Sequence, residues 1–216
     1  MRTTINMKTT VLLAALIISA LNINAQTRYE KEMAANIELL NKAEELQVFK
    51  TAANKFELIA KVEKAKWLPQ YYASYAYTVM TYFDKDNDNR DKALDAAQTY
   101  LDKAAKLSGD KQEIAILQAY IYQSRFFISP MARLNTFLKT STAIEELIRQ
   151  YPENPRANLL EGIQLFHKPA FLGGGPAKAK PFLEKAKSAY GKQKLKNALD
   201  PNWGSDTNTY YLNKCS

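Results

Sequence analysis

Three segments of this chain repeat one spacing: a small residue, a large apolar residue four positions on, a further position three on, and a helix breaker five beyond that. They are Ala97, Leu101, Ala104 and Gly109; Ala143, Leu147, Gln150 and Pro155; and Ala179, Leu183, Ala186 and Gly191. Ala52, Phe56 and Ile59 follow the pattern more loosely. Positions i, i+4 and i+7 share one face of a helix, and small residues there let a second helix approach closely. The anchor alanines lie 45, 46 and 36 residues apart. A period of this size, built from helix pairs, predicts stacking of one pair on the next. The expected fold is all-α, an α-solenoid of antiparallel helix pairs with about eight or nine helices and a short C-terminal capping helix.

The last full pair sits in Pro155 to Ala186. Leu159, Leu160, Ile163 and Phe166 recur at helical spacing, with Gly162 on the same side. Phe171-Leu172-Gly173-Gly174-Gly175-Pro176 interrupts them, and Ala179, Leu183 and Ala186 resume the period. Three adjacent glycines stop a helix, and Pro176 suits the first turn of the next one. Phe171 and Leu172 are expected to tuck beneath this turn. Upstream the chain reads as nearly continuous helix, with no glycine between Gln26 and Ser108. The expected helices run over 28–47, 49–64, 69–83, up to 107, 111–128, a looser lead-in over 131–139 continuing to 150, then the pair just described and a short helix over 205–213. Trp203 is expected to cap the open end of the stack.

Residues 1–25 read as a secretory leader: Arg2 and Lys8, the apolar run Val11 to Leu21, and Ile23-Asn24-Ala25 as a cleavage site. The remaining 191 residues, 26–216, suffice for one helical repeat domain. They contain no second apolar run of membrane length, so stable membrane insertion is not expected, and the periplasm is the expected compartment, with the extracellular space as the alternative. The formal charge is +8, of which Arg2 and Lys8 leave with the leader. Lys178, Lys180, Lys185, Lys187, Lys192, Lys194 and Lys196 concentrate the excess late in the chain. In an exported protein such a face is expected to be solvated rather than to hold nucleic acid. Cys215 is the single cysteine, so no internal disulfide can form.

The spacing resembles the tetratricopeptide repeat family, whose second helix carries small, large and small residues before a breaker. Ala119 and Tyr122 match that family's first-helix pattern of a small residue and then tyrosine three on. Gln150 departs from it, and two of the periods exceed the family's usual length. The glycine turn is similar to that of divergent periplasmic members, among them the T components associated with TRAP transporters. The in-phase repeats, the leader and the lack of a catalytic set point to a non-catalytic protein that binds a protein or peptide partner in the cell envelope, whereas the T-component resemblance implies a helical, non-catalytic protein that handles a ligand. The alternative is thus a periplasmic ligand-handling subunit beside a solute transporter, with a small ligand.

No catalytic set, cofactor site or metal site is expected. His167 is the single histidine, so neither a histidine–cysteine zinc set nor a serine triad with its usual elbow can be assembled. At a helix C-terminus it reads as a capping aid. Gly173, Gly174 and Gly175 could present amides to an anion, but lack the lysine and serine or threonine of a phosphate loop. Asp84, Asp86 and Asp88 have the start of a calcium-loop spacing, yet Asn89 stands where glycine is needed and the closing glutamate is missing. The candidate binding surface is aromatic: Trp67, Tyr71, Tyr72, Tyr75, Tyr122 and Phe126, some lining a concave groove and some in helix-pair cores.

Overall fold

A computed structural model describes residues 27–215, and the expected leader lies outside them. A first helix, α1, covers 27–41. It is followed by α2 (Leu46–Val62), α3 (Trp67–Met80), α4 (Asn87–Lys106), α5 (Lys111–Ile128), α6 (Leu134–Gln150), α7 (Pro155–His167), α8 (Pro176–Lys192) and α9 (Ser205–Lys214). Short 3₁₀ turns at Pro130–Ala132 and Ala170–Leu172 precede α6 and α8. Among the described residues there is no strand. No helix among them is long and apolar enough to cross a membrane.

Three helices, α4, α5 and α7, begin with a side chain that satisfies free amides. Asp86 caps α4 by accepting from Asn89 N at 2.9 Å. Asp110 caps α5, accepting from Gln112 N and Glu113 N. Asn154 caps α7, accepting from Arg156 N at 2.8 Å, with Pro155 at the first helical position. These contacts fill donors that the helix itself leaves unpaired. In the 84–88 loop Asp86 is used for capping and Asp84 accepts from Asp86 N, and among the described residues no group of acids, histidines or cysteines is placed to hold a metal ion.

Helices pair as the spacing predicts: α3 with α4, α5 with α6, α7 with α8. The first members, α3, α5 and α7, also pack on one another, forming the inner layer. The anchors of α4 (Ala97, Leu101, Ala104) and α8 (Ala179, Leu183, Ala186) are all buried. In α7, Gly162 faces Leu183 so closely that a Cβ would lie 2.5 Å from Leu183 Cδ2, so glycine sets the spacing of that pair. Two expectations need correction. The run expected as one helix over 28–47 is broken at 42–45 without glycine or proline, and Glu45 turns the chain into α2. In α6 the buried anchors are Ile144 and Leu147, whereas Gln150 is exposed, so that helix is rotated relative to its repeat frame.

The segment 193–204 does what no repeat pattern announces. It leaves α8 and runs back across the inner layer. Tyr72 donates to Leu199 O at 3.0 Å. Trp203 is buried, stacks on Tyr75 and Tyr120 at centroid distances of 4.8 and 5.3 Å, and donates from Nε1 to Tyr71 Oη. Arg156, 1% exposed, donates from Nη1 to Pro201 O at 2.7 Å and from Nη2 to Glu113 Oε1. Thus α9 caps α7 and α8, with Asn208 Nδ2 donating to Leu183 O, while Trp203 lies within the main core rather than at the open end. Removing a buried indole leaves a cavity that a packed core closes only in part. Trp203→Ala should therefore lower stability by about 3–5 kcal/mol in urea unfolding, and a loss under about 1 kcal/mol would show that the ring does not hold the segment.

Candidate functional site

The six aromatic residues singled out from sequence do not form one surface. Tyr71 and Tyr72 are buried, at 0% and 2% exposure, and hydrogen-bonded within the core. Burial pushes the hydroxyls of both above the usual tyrosine range. Trp67 lies half-buried at the N-terminal end of α3, beside the start of α5. Tyr122 is half-buried on α5. Tyr75 lines a cavity of about 960 Å³ together with Trp203, Tyr120 and Tyr82. Phe126 lines a different one.

That second cavity, of about 810 Å³, lies where the ends of several elements meet. Phe126 and Phe127 come from the last turn of α5, and Phe137 from the first turns of α6. Pro130 and Met131 come from the 3₁₀ turn between them. The end of α7 contributes Gln164 and His167, the turn after it contributes Pro169 and Leu172, and α9 contributes Tyr211. Phe126 packs against Phe127 and Phe137 at 5.7 and 5.2 Å between centroids. Most of the wall's surface is carbon, with polar groups from Arg90, Gln123, Gln164, His167 and Lys168 among it. Ligand sites commonly have this character, at roughly 300–1,000 Å³. Tyr82 and Tyr211 also line the first cavity, so the two adjoin.

Three buried polar atoms on this wall have no hydrogen-bond partner: Arg90 Nε, Gln123 Oε1 and Gln164 Oε1. Gln123 Nε2 donates to Leu160 O, and Gln164 Nε2 to Ser141 Oγ, which fixes both amides with the oxygens free. The 3₁₀ turn bearing Met131 is clamped to α4. Arg133 grips Asp91 with Nη1 at 2.7 Å and Nη2 at 2.5 Å, and reaches Arg125 O at 3.0 Å. Arg125 also pairs with Asp95 at 2.7 Å. The Arg133 contact holds the Asp91 carboxyl below the usual range.

The glycine turn forms one rim of the cavity, but its amides are already used. Gly173 N donates to Ala170 O, Gly174 N to Pro169 O and Gly175 N to Leu165 O. Gly173 and Gly175 have positive φ, and a Cβ on Gly174 would overlap the Lys168 carbonyl. The turn is therefore shaped for packing and offers no cradle to an anion. Phe171 and Leu172 do not tuck beneath it: they are 86% and 56% exposed, as Met131 is at 91%.

His167 ends α7, but it does not serve as a simple cap. Its Nε2 lies 3.0 Å from Tyr211 Oη. Phe127, Phe166 and Tyr211 meet the imidazole edge-on at 5.0, 5.3 and 5.6 Å. The ring is open to solvent on one side and enclosed by these neighbours on the other. That enclosure lowers its pKa below the ordinary 6.5, and burial raises that of Tyr211 to about 12. Sequence reasoning passed over the pair because the two residues are 44 positions apart.

A histidine with a lowered pKa in the folded state binds its proton less readily than in the unfolded chain. Stability is therefore full above the unfolded value near 6.5 and falls as the pH drops through the lowered folded value. Unfolding free energies at pH 7.5 and 5 should show a smaller acid loss for His167→Gln than for the unsubstituted chain. Identical acid losses would place the ring in free solvent.

No protein-family model matches the sequence, and no curated protein matches it. Among solved structures the chain is similar to the HusA haemophore from Porphyromonas gingivalis, with a TM-score of 0.76 and 30% sequence identity. The match covers 87% of this chain and 92% of that one. The likeness therefore takes in the whole helical stack rather than one repeat, and this protein belongs to the family of the HusA haemophore.

Proposed function

We propose that this protein is a non-catalytic carrier of haem or a related tetrapyrrole, and that the ligand sits in the apolar cavity between α5, α6, α7 and α9. The observation that carries this reading is the wall itself: three phenylalanines converge from two helices on one cavity of about 810 Å³. A flat, largely apolar macrocycle gains most from such a surface, through both area burial and offset stacking. Arg90 and Lys168 also line the cavity and suit the carboxylates of a porphyrin edge. The likeness to a haemophore supports the same ligand class. An exported carrier also fits the leader expected at residues 1–25.

Absorbance titration of the chain without residues 1–25 with haemin and with iron-free protoporphyrin tests this. Saturable binding is expected. Phe126→Ala and Phe127→Ala should each weaken it about tenfold, the effect of losing about 1.4 kcal/mol of ring contact. No saturable change, or unaltered affinity in both variants, would remove the cavity from consideration.

A protein partner in the cell envelope is a second reading, and one observation favours it. Met131, Phe171 and Leu172 expose large apolar side chains beside the cavity mouth, and exposed apolar groups that gather in one place suit a docking surface. The solenoid's inner face is less suited to a peptide, because segment 193–204 already covers Tyr71 and Tyr72 there. Crosslinking from position 171 in envelope extracts should trap a discrete species that Met131→Ser with Leu172→Ser abolishes. A species unchanged by those substitutions would count against docking at the mouth.

A further inference from the structure

We propose that a third cavity, at the N-terminal ends of α5 and α7, binds an acidic saccharide: one or two sugar rings that carry a carboxylate or a phosphate. It shares no lining residue with the apolar cavity, which lies at the opposite ends of the same two helices. Its volume is about 640 Å³. Gln112 and Glu113 come from the first turn of α5, Asn154 and Arg156 from the start of α7, and Lys192 from the end of α8. The returning segment closes it with Lys194, Leu195 and Lys196.

Positive charge at this site is left over once the protein's own contacts are made. Four carboxylates line the cavity, and each already has a donor. Asp110 accepts from the first amides of α5, and Glu113 accepts from Arg156 and Tyr71. Glu153 pairs with Lys185 at 3.1 Å, and Asp200 accepts from Lys196 N and Asn197 N. Lys192, Lys194 and Lys196 make no ion pair among the described residues. Arg156 is 1% exposed, and its Nε is buried without a partner although both Nη groups are bonded. Those two bonds go to wall residues, Glu113 and Pro201, so the guanidinium lies at the inner end of the cavity. A buried donor left unpaired is costly, and an oxyanion against it removes that cost. The N-terminus of α7 adds to the same field, for its cap, Asn154, is neutral and no acid stands in its first turn.

The rest of the wall favours a ring that bears the charge over a bare anion. Trp67 and Tyr151 are half-buried and line the cavity, and Leu195 and Pro201 add aliphatic surface. Aromatic side chains pair an apolar face with a polar tip, which suits the C–H face and hydroxyl edge of a sugar. The amides of Gln112 and Gln193 offer both donors and acceptors to those hydroxyls. The lysines stand on fixed backbone. Asp200 Oδ2 holds the amides of residues 196 and 197, and Asn197 Oδ1 accepts from Leu199 N at 2.8 Å. Because Lys192, Lys194 and Lys196 are exposed, the mouth is wet and charged, as a hydrophilic ligand requires.

Isothermal titration of the chain without residues 1–25 tests this, with glucuronate, glucose 6-phosphate, glucose and inorganic phosphate as probes. At least one of the two acidic sugars should bind saturably, about tenfold or more tighter than glucose or inorganic phosphate. Lys194→Gln with Lys196→Gln should weaken that binding about tenfold while the circular dichroism stays unchanged. Lys178→Gln with Lys187→Gln, on α8 but away from the cavity, should leave it as it was. Inorganic phosphate that binds as tightly as the acidic sugars would overturn the saccharide assignment. Equal losses from the two lysine pairs would show a diffuse basic surface and overturn the site. No saturable binding of either acidic sugar would overturn the proposal as a whole.

Discussion

The guanidinium of Arg156 is the contact on which the arrangement of the chain depends. It is buried at the first turn of α7, yet it touches α5 and, at two points, the returning segment. Nη2 meets Glu113 of α5, Nη1 meets Pro201 O of the returning segment, and the group lies 5.4 Å from the centre of the Trp203 ring. Glu113 also accepts from Tyr71 of α3 at 3.1 Å, and Tyr71 in turn accepts from Trp203 Nε1 at 2.9 Å. A buried ion pair seldom adds much net stability, because removing two charges from water costs several kcal/mol. What it does is specify. Burial pushes the Glu113 carboxyl upward, and Arg156 offsets part of that rise. Each partner is tolerable inside only while the other is present. The three inner helices and the returning segment therefore have one arrangement in which both Arg156 Nη groups, the Glu113 carboxylate and the Trp203 indole N–H are partnered.

That arrangement decides where a ligand can sit. A helical solenoid normally presents its inner layer as an open concave surface. Here Leu199, Pro201 and Trp203 fill part of it, tied to Tyr72, Arg156 and Tyr71. The free apolar volume lies instead at the ends of α5 and α7, where the start of α6, the glycine turn and α9 supply the remaining walls. The Asp91–Arg133 clamp then matters beyond its own modest energy. It fixes the approach of the turn that carries Pro130 and Met131 to that volume. Partly exposed pairs of this kind contribute about 0–1 kcal/mol each, so the clamp positions the wall more than it stabilises the fold.

The helix pairing was legible in the sequence wherever one face did one job. In α4 and α8 the small-large-small spacing marks residues that are all buried. Caps are local in the same way: Asp110 and Asn154 act on amides two or three residues away. Periodicity gives a face but not the partner that covers it, and there the reading thinned. Tyr71, Tyr72 and Tyr75 are neighbours on α3, yet two are sealed in the core and one reaches a cavity. What separates them is a segment more than a hundred residues later. The partners of Trp203 were hidden likewise, and so was Arg156, since an isolated arginine carries no pattern. The break at 42–45 carried no signal at all, having neither glycine nor proline.

The glycine turn joins these levels. From sequence it is a stop between two helices with a hint of an anion cradle. In the structure its three amides close on Ala170, Pro169 and Leu165, so the backbone's hydrogen-bonding capacity is used inside the turn. A buried amide left without a partner would be costly, and this closure removes that cost without any ligand. Because the turn is satisfied, it can serve as a fixed wall, and Leu172 and Pro169 become cavity lining while Phe171 stands out toward solvent. The same closure sets the direction in which α7 ends, and therefore where His167 meets Tyr211. A feature that looked like a site in its own right is thus the support for the apolar site next to it.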